Sequence, residues 1–142
     1  MAIRKATAAW QGSVTEGKGE LALESGVFKG PYDFRARSTD GTGMTNPEEL
    51  IAAAHAGCFT MAFSATLGKS GFTPSQINTE ARVHLQPGGG GFVIPRIDLI
   101  MSASVPGIDA TKFQELATSA KVNCPVSKAL AGCEITLQAT LV

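Results

Sequence analysis

One long apolar segment constrains this chain more than any other feature. Leu50 to about Leu67 reads LIAAAHAGCFTMAFSATL, which contains no charged residue and is apolar on nearly every side of a helix. With its first turn, this helix has about 22 residues and a length of roughly 33 Å. A helix that is apolar all round must be buried all round. A chain of 142 residues has difficulty surrounding it, so we expect a second subunit to cover part of it.

The ends of this helix are marked by residues with known capping preferences. Asn46 suits the N-cap, Pro47 the first helical position, and the Glu49 carboxylate the third position of a capping box. Gly68 or Gly71 can end the helix.

A membrane span would have the same length. His55, Thr60, Ser64 and the many alanines make this segment less hydrophobic than a span rich in leucine, isoleucine and valine. Small residues such as Gly57 instead allow another backbone to approach closely. We therefore predict a buried helix and no membrane partner.

The rest of the sequence predicts an α+β fold in a single domain, residues 1–142. Alternation of apolar and polar residues indicates half-buried, antiparallel strands, and Asp109 suits the N-cap of a shorter helix at 110–122. Gly88 to Gly91 join two of the strands as a hairpin, and Asp40 to Gly43 predict a loop. The predicted strands are 20–24, 32–37, 77–85, 96–105 and 134–141, with turns at 25–26 and 29–31.

Composition excludes several classes of function. Twelve basic and twelve acidic residues give a formal net charge of zero, whereas nucleic-acid binding requires a basic excess. The first residues contain no apolar run of signal-peptide length, so we expect a cytoplasmic protein. Three cysteines without a Cys-x-x-Cys pair do not form a disulfide framework.

The three cysteines differ in their local context. Cys58 lies in the middle of the apolar helix, where a cysteine is most often a packing residue. Cys124 precedes Pro125, which suits the first position of a helix, so Cys124 lies at or next to an N-cap. Unpaired amides and the helix dipole there favour a thiolate. Cys133 has no activating neighbours in the sequence and is interpreted as a packing residue.

Other side chains leave more than one interpretation open. His55 shares a helix face with Cys58, so a zinc site of His55, Cys58, Cys124 and one more ligand is conceivable, although the chain has no second ligand pair at short spacing. Arg35 and Arg37 point to the same side of their predicted strand. Glu48 has no capping role of its own, because Glu49 can complete the capping box.

Two motifs carry a resemblance to a known family. TNPEELIAAAHAGCF at 45–59 and NCPVSK at 123–128 resemble the OsmC/Ohr family, and AAHAGCF and VPGIDA are closer to its OsmC branch. Members are cysteine-based peroxidases that act in defence against oxidative and osmotic stress. They reduce organic hydroperoxides and, to a lesser extent, hydrogen peroxide. The resemblance implies an intertwined homodimer, with sheets wrapped around central helices and both active sites at the interface.

The resemblance also implies roles for four residues. Cys58 matches the peroxidatic cysteine, Cys124 the resolving cysteine, Arg37 the family arginine and Glu48 the family glutamate. An apolar helix would raise the pKa of Cys58, so a cation such as Arg37 is needed to favour its thiolate. No bound cofactor is implied; an external dithiol, with a lipoylated protein as the expected donor, reduces the disulfide. The alternative is a non-enzymatic dimeric binder of small apolar molecules with structural cysteines.

The spacing of Glu48 and Cys58 leads to one further expectation. Ten residues separate them, which corresponds to about 15 Å along a straight helix and a rotation of some 80°. They cannot meet on one helix. Antiparallel packing of two such helices would bring the start of one near the middle of the other, so we expect Glu48 to contribute to the site of the partner subunit.

Overall fold

The computed structural model describes residues 1–39 and 43–142. These residues contain two three-stranded sheets, which are formed by different parts of the chain. One sheet belongs to a unit of residues Met1–Leu50 and the other to a unit of residues Ile51–Val142. The loop predicted at 40–43 lies outside the described residues except for Gly43. That residues 1–142 form a single domain stays a prediction.

The first unit is an antiparallel sheet followed by one helical turn. Its strands are β1 (Ala6–Gln11), β2 (Lys18–Leu23) and β3 (Lys29–Tyr32), in the order β1-β2-β3, and α1 follows at Arg35–Ser38. The predicted turn at 29–31 and strand at 32–37 are therefore wrong: residues 29–31 lie in β3, and residues 35–37 lie in α1.

A side chain explains why the predicted strand at 32–37 does not form. The Ala36 amide donates to Asp33 Oδ1 over 2.8 Å, which stabilises a helical turn after β3. Neighbouring residues of a helix are 100° apart, so Arg35 and Arg37 do not point to the same side.

The long helix, α2 (Pro47–Lys69), begins and ends where its capping residues predict. The Glu49 amide donates to Asn46 Oδ1 over 2.8 Å, so Asn46 is the N-cap. The capping box is incomplete, because the Glu49 carboxylate accepts the Thr45 hydroxyl instead. At the other end, Gly71 has a φ of +84° and the Phe72 amide donates to the Leu67 carbonyl over 3.0 Å. This Schellman arrangement, with Gly71 as the C′ residue, ends the helix after Lys69.

The described residues bury one face of α2. Phe59, Phe63 and Leu67 follow one another at intervals of four residues, and all are fully buried. Met61, on another face, is 74% exposed. In length and composition α2 would also suit a membrane span, and 22% of its most apolar 18-residue stretch is buried. As the sequence predicts, residues 1–39 and 43–142 do not surround this helix.

The second unit contains a mixed sheet. The predicted hairpin is formed by β4 (Gln76–Gly88) and β5 (Gly91–Ser104), joined through Gly89 and Gly90, which have φ values of +61° and +81°. β6 (Glu134–Leu141) pairs with β5 in parallel, so the prediction of antiparallel strands alone is wrong. The reason is the connection: α3 (Ala110–Asn123) and α4 (Pro125–Ala129) return the chain to the starting end of β5.

The core of the second unit lies between its sheet and its helices. Asp109 caps α3, because the Lys112 amide donates to Asp109 Oδ1 over 2.8 Å. Phe113 packs edge-on against Phe63, with ring centroids 5.4 Å apart. The buried core is formed by residues of α2, β5 and α3 and their ends, namely Phe59, Phe63, Leu67, Leu99, Met101, Ala103, Val105, Phe113, Leu116, Ala117, Ala120 and Cys124.

Two glycines near the end of α2 offer a matched test of this cap. Gly71→Ala should lower the free energy of unfolding by about 1 kcal/mol, because alanine is strained at positive φ. Gly68→Ala should raise it by roughly 0.5 kcal/mol, because Gly68 is helical and an added Cβ meets no atom within 4 Å. Urea denaturation at one protein concentration measures both, and equal effects of the two substitutions would contradict the assignment of the cap.

Candidate active site

An ion pair in the first unit joins α1 to the start of α2. Arg37 Nη2 lies 2.6 Å from Glu48 Oε1, and Arg37 Nε lies 3.2 Å from each carboxylate oxygen. Glu48 is only 7% exposed. The hydrogen bond to Glu48 raises the pKa of Arg37 above its ordinary value, although burial opposes it. Of the two arginines considered, Arg37 is thus the one held by Glu48, whereas Arg35 is exposed.

The positions of these partners follow from local structure. Asn46 Nδ2 donates to the Ala36 carbonyl over 2.8 Å, which ties the start of α2 to α1. Glu48, in the first turn of α2, therefore comes within reach of Arg37. A carboxylate near a helix N-terminus is also favoured by the helix dipole. The result is a guanidinium held in a fixed orientation by a buried carboxylate.

A mostly apolar pocket adjoins this ion pair. Its volume is about 300 Å³, and aromatic side chains form much of its wall. The residues lining it, all in the first unit, are Trp10, Val14, Tyr32, Asp33, Phe34, Arg37 and Pro47. The pocket can hold an apolar group next to the Arg37 cation.

In the second unit, the structure brings together Cys58 and Cys124. Cys58 is on α2 and half-buried, whereas Cys124 is fully buried between α3 and α4. As predicted, Cys124 is an N-cap with Pro125 in the first helical position. Both thiols are free, and they interact directly, 66 residues apart in the sequence.

The environments of the two thiols push their pKa values apart. Burial raises the pKa of the Cys58 thiol, and the contact with Cys124 adds to this. Burial also acts to raise the pKa of Cys124, but the Ser127 amide and hydroxyl, the Cys58 thiol and the Val126 amide together hold it below its ordinary value. The Cys124 sulfur makes no standard side-chain cap, so its thiolate is stabilised by several neighbouring donors. The surroundings thus favour the thiolate of Cys124 and disfavour that of Cys58.

One contact beside this pair was not predicted from the sequence. His55 is fully buried, and its Nε2 atom lies 2.7 Å from the Ser127 hydroxyl oxygen. These residues are 72 positions apart, and no spacing in the sequence indicates that they meet. The presence of Ser127 beside Cys124 in the motif NCPVSK was the only available signal.

The remaining candidates have simpler environments. Cys133 is half-buried and its thiol donates to the Leu130 carbonyl over 3.2 Å. Within residues 1–39 and 43–142, no three histidine, cysteine, aspartate or glutamate side chains are grouped so that they could hold a metal ion. The conceivable zinc site of His55, Cys58 and Cys124 thus finds no support, since His55 binds Ser127 instead.

Comparison with known proteins gives this arrangement a family. Residues 39–138 match a family model described as OsmC-like protein. The chain is 49% identical over 135 residues to peroxiredoxin OsmC of Escherichia coli (strain K12), which covers 94% of this chain and 93% of that protein. This chain belongs to the OsmC/Ohr family.

Two further members of the OsmC/Ohr family are more distant. An organic hydroperoxide resistance protein of Xanthomonas axonopodis pv. citri is 32% identical over 105 residues, 72% of this chain and 68% of that protein. The structure of an OsmC-like protein of unknown function from Vibrio cholerae has a TM-score of 0.78 at 15% identity and covers 98% of this chain and 99% of that one. The predicted OsmC-like α+β fold, with two sheets and a long central helix, is confirmed.

The contact between the thiols predicts which disulfide forms on oxidation. One equivalent of hydroperoxide should join Cys58 to Cys124 within one chain, because these sulfurs interact directly, and should leave Cys133 free. Peptide mapping of protein alkylated after oxidation measures this. A disulfide that contains Cys133, or one that joins two chains, would contradict the geometry.

Proposed function

We propose that this chain is a thiol-dependent peroxidase that reduces organic hydroperoxides, and hydrogen peroxide to a lesser extent, in defence against oxidative and osmotic stress. The observation that carries the proposal is the direct interaction of two free cysteines in a chain 49% identical to a peroxiredoxin OsmC. A peroxidase of this kind needs one sulfur to attack the peroxide and a second within reach to form a disulfide.

In the proposed reaction, Cys58 is the peroxidatic cysteine. Its thiolate attacks the O–O bond, the sulfur takes one oxygen and becomes a sulfenic acid, and the departing alkoxide takes up a proton to become an alcohol. Burial raises the pKa of Cys58, so a cation has to favour its thiolate. We assign this role to Arg37, which Glu48 holds in place, and Arg37 also stabilises charge on the alkoxide.

Cys124 completes the proposed reaction as the resolving cysteine. Its sulfur attacks the sulfur of the sulfenic acid, a Cys58–Cys124 disulfide forms and water leaves. An external dithiol, for which we propose a lipoylated protein, then reduces the disulfide, and no bound cofactor takes part. We place this cycle in the cytoplasm, where reductants of this kind keep thiols reduced.

The substrate class is supported by the pocket beside Arg37. Aromatic and aliphatic side chains line most of its volume of about 300 Å³. An alkyl or aryl group gains more from such a wall than a small polar peroxide does. We therefore expect organic hydroperoxides to be better substrates than hydrogen peroxide.

Peroxide consumption tests this function. The wild-type chain should consume cumene hydroperoxide in the presence of a dithiol, Cys58→Ser should reduce the rate to background, and Cys133→Ser, the matched control, should leave it unchanged. Cys124→Ser should trap a sulfenic acid on Cys58, which a sulfenic-selective probe detects. A wild-type chain that consumes no peroxide would favour a binder of small apolar molecules. Unchanged turnover in Cys58→Ser would contradict the mechanism, and a sulfenic acid on Cys124 in that variant would reverse the two roles.

We propose further that the protein is a homodimer with shared active sites. The exposed stripe of α2 that supports this is formed by Ala53, Ala54, Gly57, Met61 and Ala65. Four of these five residues are alanine or glycine, which allow a second helix to approach closely. An open groove of about 680 Å³, lined in part by Gly57, borders the stripe and offers further surface to a partner.

The Arg37–Glu48 ion pair indicates which residues each subunit would contribute to the shared site. Because both belong to one chain, they act as a unit on a single Cys58. Glu48 and Cys58 lie about 15 Å apart along α2, so we propose that the Arg37–Glu48 pair of one subunit serves Cys58 of the other.

Mixed dimers of Glu48→Ala and Cys58→Ser chains test the shared site. If the sites are shared, one carries both substitutions and the other carries neither, so about half of the wild-type activity per dimer should remain. If Glu48 serves its own chain, each site carries one substitution and activity should fall strongly. Light scattering provides the control, since a monomer at micromolar concentration would defeat the proposal.

A further inference from the structure

A buried histidine lies close to the proposed resolving cysteine and has no part in the reaction described so far. His55 is fully buried on α2, and its Nε2 atom is 2.7 Å from the Ser127 oxygen. Within residues 1–39 and 43–142, its Nδ1 atom has no hydrogen-bond partner. A buried polar atom without a partner costs free energy. A phenyl ring would fill this space without that cost, so packing alone does not account for an imidazole.

Ser127 connects this histidine to Cys124. Cys124 is the N-cap of α4 and Ser127 is the third residue of that helix. Side chains in these two positions are neighbours at the start of a helix, and the Lys128 amide closes the turn by donating to the Cys124 carbonyl over 3.0 Å. The Ser127 hydroxyl lowers the pKa of Cys124. It therefore lies between the imidazole and the sulfur.

The number of protons determines the direction of these hydrogen bonds. Burial lowers the pKa of His55, so its ring is neutral at neutral pH and carries one proton. Ser127 has one hydroxyl proton. When Nε2 of His55 carries the ring proton, it donates to the Ser127 oxygen, and the serine proton is left for the Cys124 sulfur. The unpartnered atom is then the lone pair of Nδ1, and the thiolate has a donor.

We propose that His55 is a positioning residue for disulfide formation: it holds the Ser127 hydroxyl towards Cys124, so that this sulfur reacts as a thiolate. This inference rests on the proposed function, in which Cys124 resolves a sulfenic acid on Cys58. In that step the S–S bond forms and the S–O bond of the sulfenic acid breaks. The hydroxide that leaves takes up a proton equivalent to the one that Cys124 lost on ionising, so the products are the disulfide and water.

Other groups that face Cys124 are independent of residue 55. They are the Cys58 thiol on α2 and the amides of Val126 and Ser127 on α4. Replacing the imidazole leaves all of them in place. A change in the ionisation of Cys124 on substitution of His55 therefore reports on the hydroxyl that His55 orients.

The direct test measures the pKa of Cys124 without any peroxide. In a chain with Cys58→Ser and Cys133→Ser, the pH dependence of alkylation reports on Cys124 alone. His55→Phe should raise this pKa by about one unit, which is the loss of one hydrogen bond to a charged group. Ser127→Ala should raise it by as much, and the double substitution should add nothing, because both act through the same hydroxyl.

Two further variants separate this role from a structural one. His55→Gln keeps a side-chain amide that can donate to Ser127, so the pKa of Cys124 should stay close to its value in the chain that retains His55. Thr60→Val is the matched control: it removes a hydroxyl from the same helix, one that donates to Thr79 over 2.7 Å, and should leave the pKa of Cys124 unchanged.

Kinetic measurements on the chain with all three cysteines should agree with the shift in the pKa of Cys124. At pH values below the pKa of Cys124, His55→Phe should have about tenfold less Cys124 thiolate. A more basic sulfur is also more nucleophilic, so disulfide formation should slow only about threefold. Formation of the sulfenic acid on Cys58 should not slow, because a less ionised Cys124 does not disfavour the Cys58 thiolate. A sulfenic-selective probe in a rapid-mixing experiment measures both steps.

An unchanged pKa of Cys124 in His55→Phe would overturn the inference, as would a shift that Ser127→Ala does not reproduce. Should His55→Phe fail to unfold cooperatively, His55→Leu takes its place, with the same expected shift and the same overturning result. A parent chain that consumes no peroxide would defeat the proposed function, whereas the alkylation measurement decides separately whether His55 acts on Cys124.

Discussion

Packing of one face of α2 into the core of the second unit controls the geometry of the cysteine pair. Phe59, Phe63 and Leu67 are fully buried, and Phe63 meets Phe113 edge to face at 5.4 Å. These contacts fix the rotation of the helix about its axis. Because His55 precedes Phe59 by one turn, the same rotation buries His55, and Cys58, next to Phe59, is held against Cys124. A different rotation of α2 would move His55 away from Ser127 and Cys58 away from Cys124.

The electrostatic environments of the two sulfurs then differ. Burial raises the pKa of Cys58, whereas the donors around Cys124 outweigh its burial. These surroundings therefore favour the thiolate of Cys124 over that of Cys58. The proposed role of Cys58 as the attacking sulfur requires a cation, because burial disfavours its thiolate. Arg37 is our proposed source of that cation, and the bidentate hold of Glu48 fixes the orientation of its guanidinium.

Local signals in the sequence were reliable where a single residue decides the structure. Asn46 and Asp109 cap α2 and α3 as expected, and Gly89 and Gly90 form the turn of the hairpin because positive φ suits glycine. The prediction failed where a local pattern had a competitor. Tyr32 to Arg37 read as a strand, but the Asp33 carboxylate accepts the Ala36 amide and favours a helical turn. The direction of β6 failed for another reason, since alternation along a strand carries no information about its partner.

For the candidate site, the sequence by itself determined which side chains are available: Cys124 ahead of Pro125, Cys58 in an apolar helix, and Glu48 left free by the cap. Their chemistry follows from residue type and near neighbours, and these are local properties. Only the tertiary structure decided which of them meet. Arg37 rather than Arg35 reaches Glu48 because a helical turn separates their directions, and Ser127 joins His55 across 72 residues. Contacts of this kind depend on how helices pack, and that is set by the whole core rather than by any one segment.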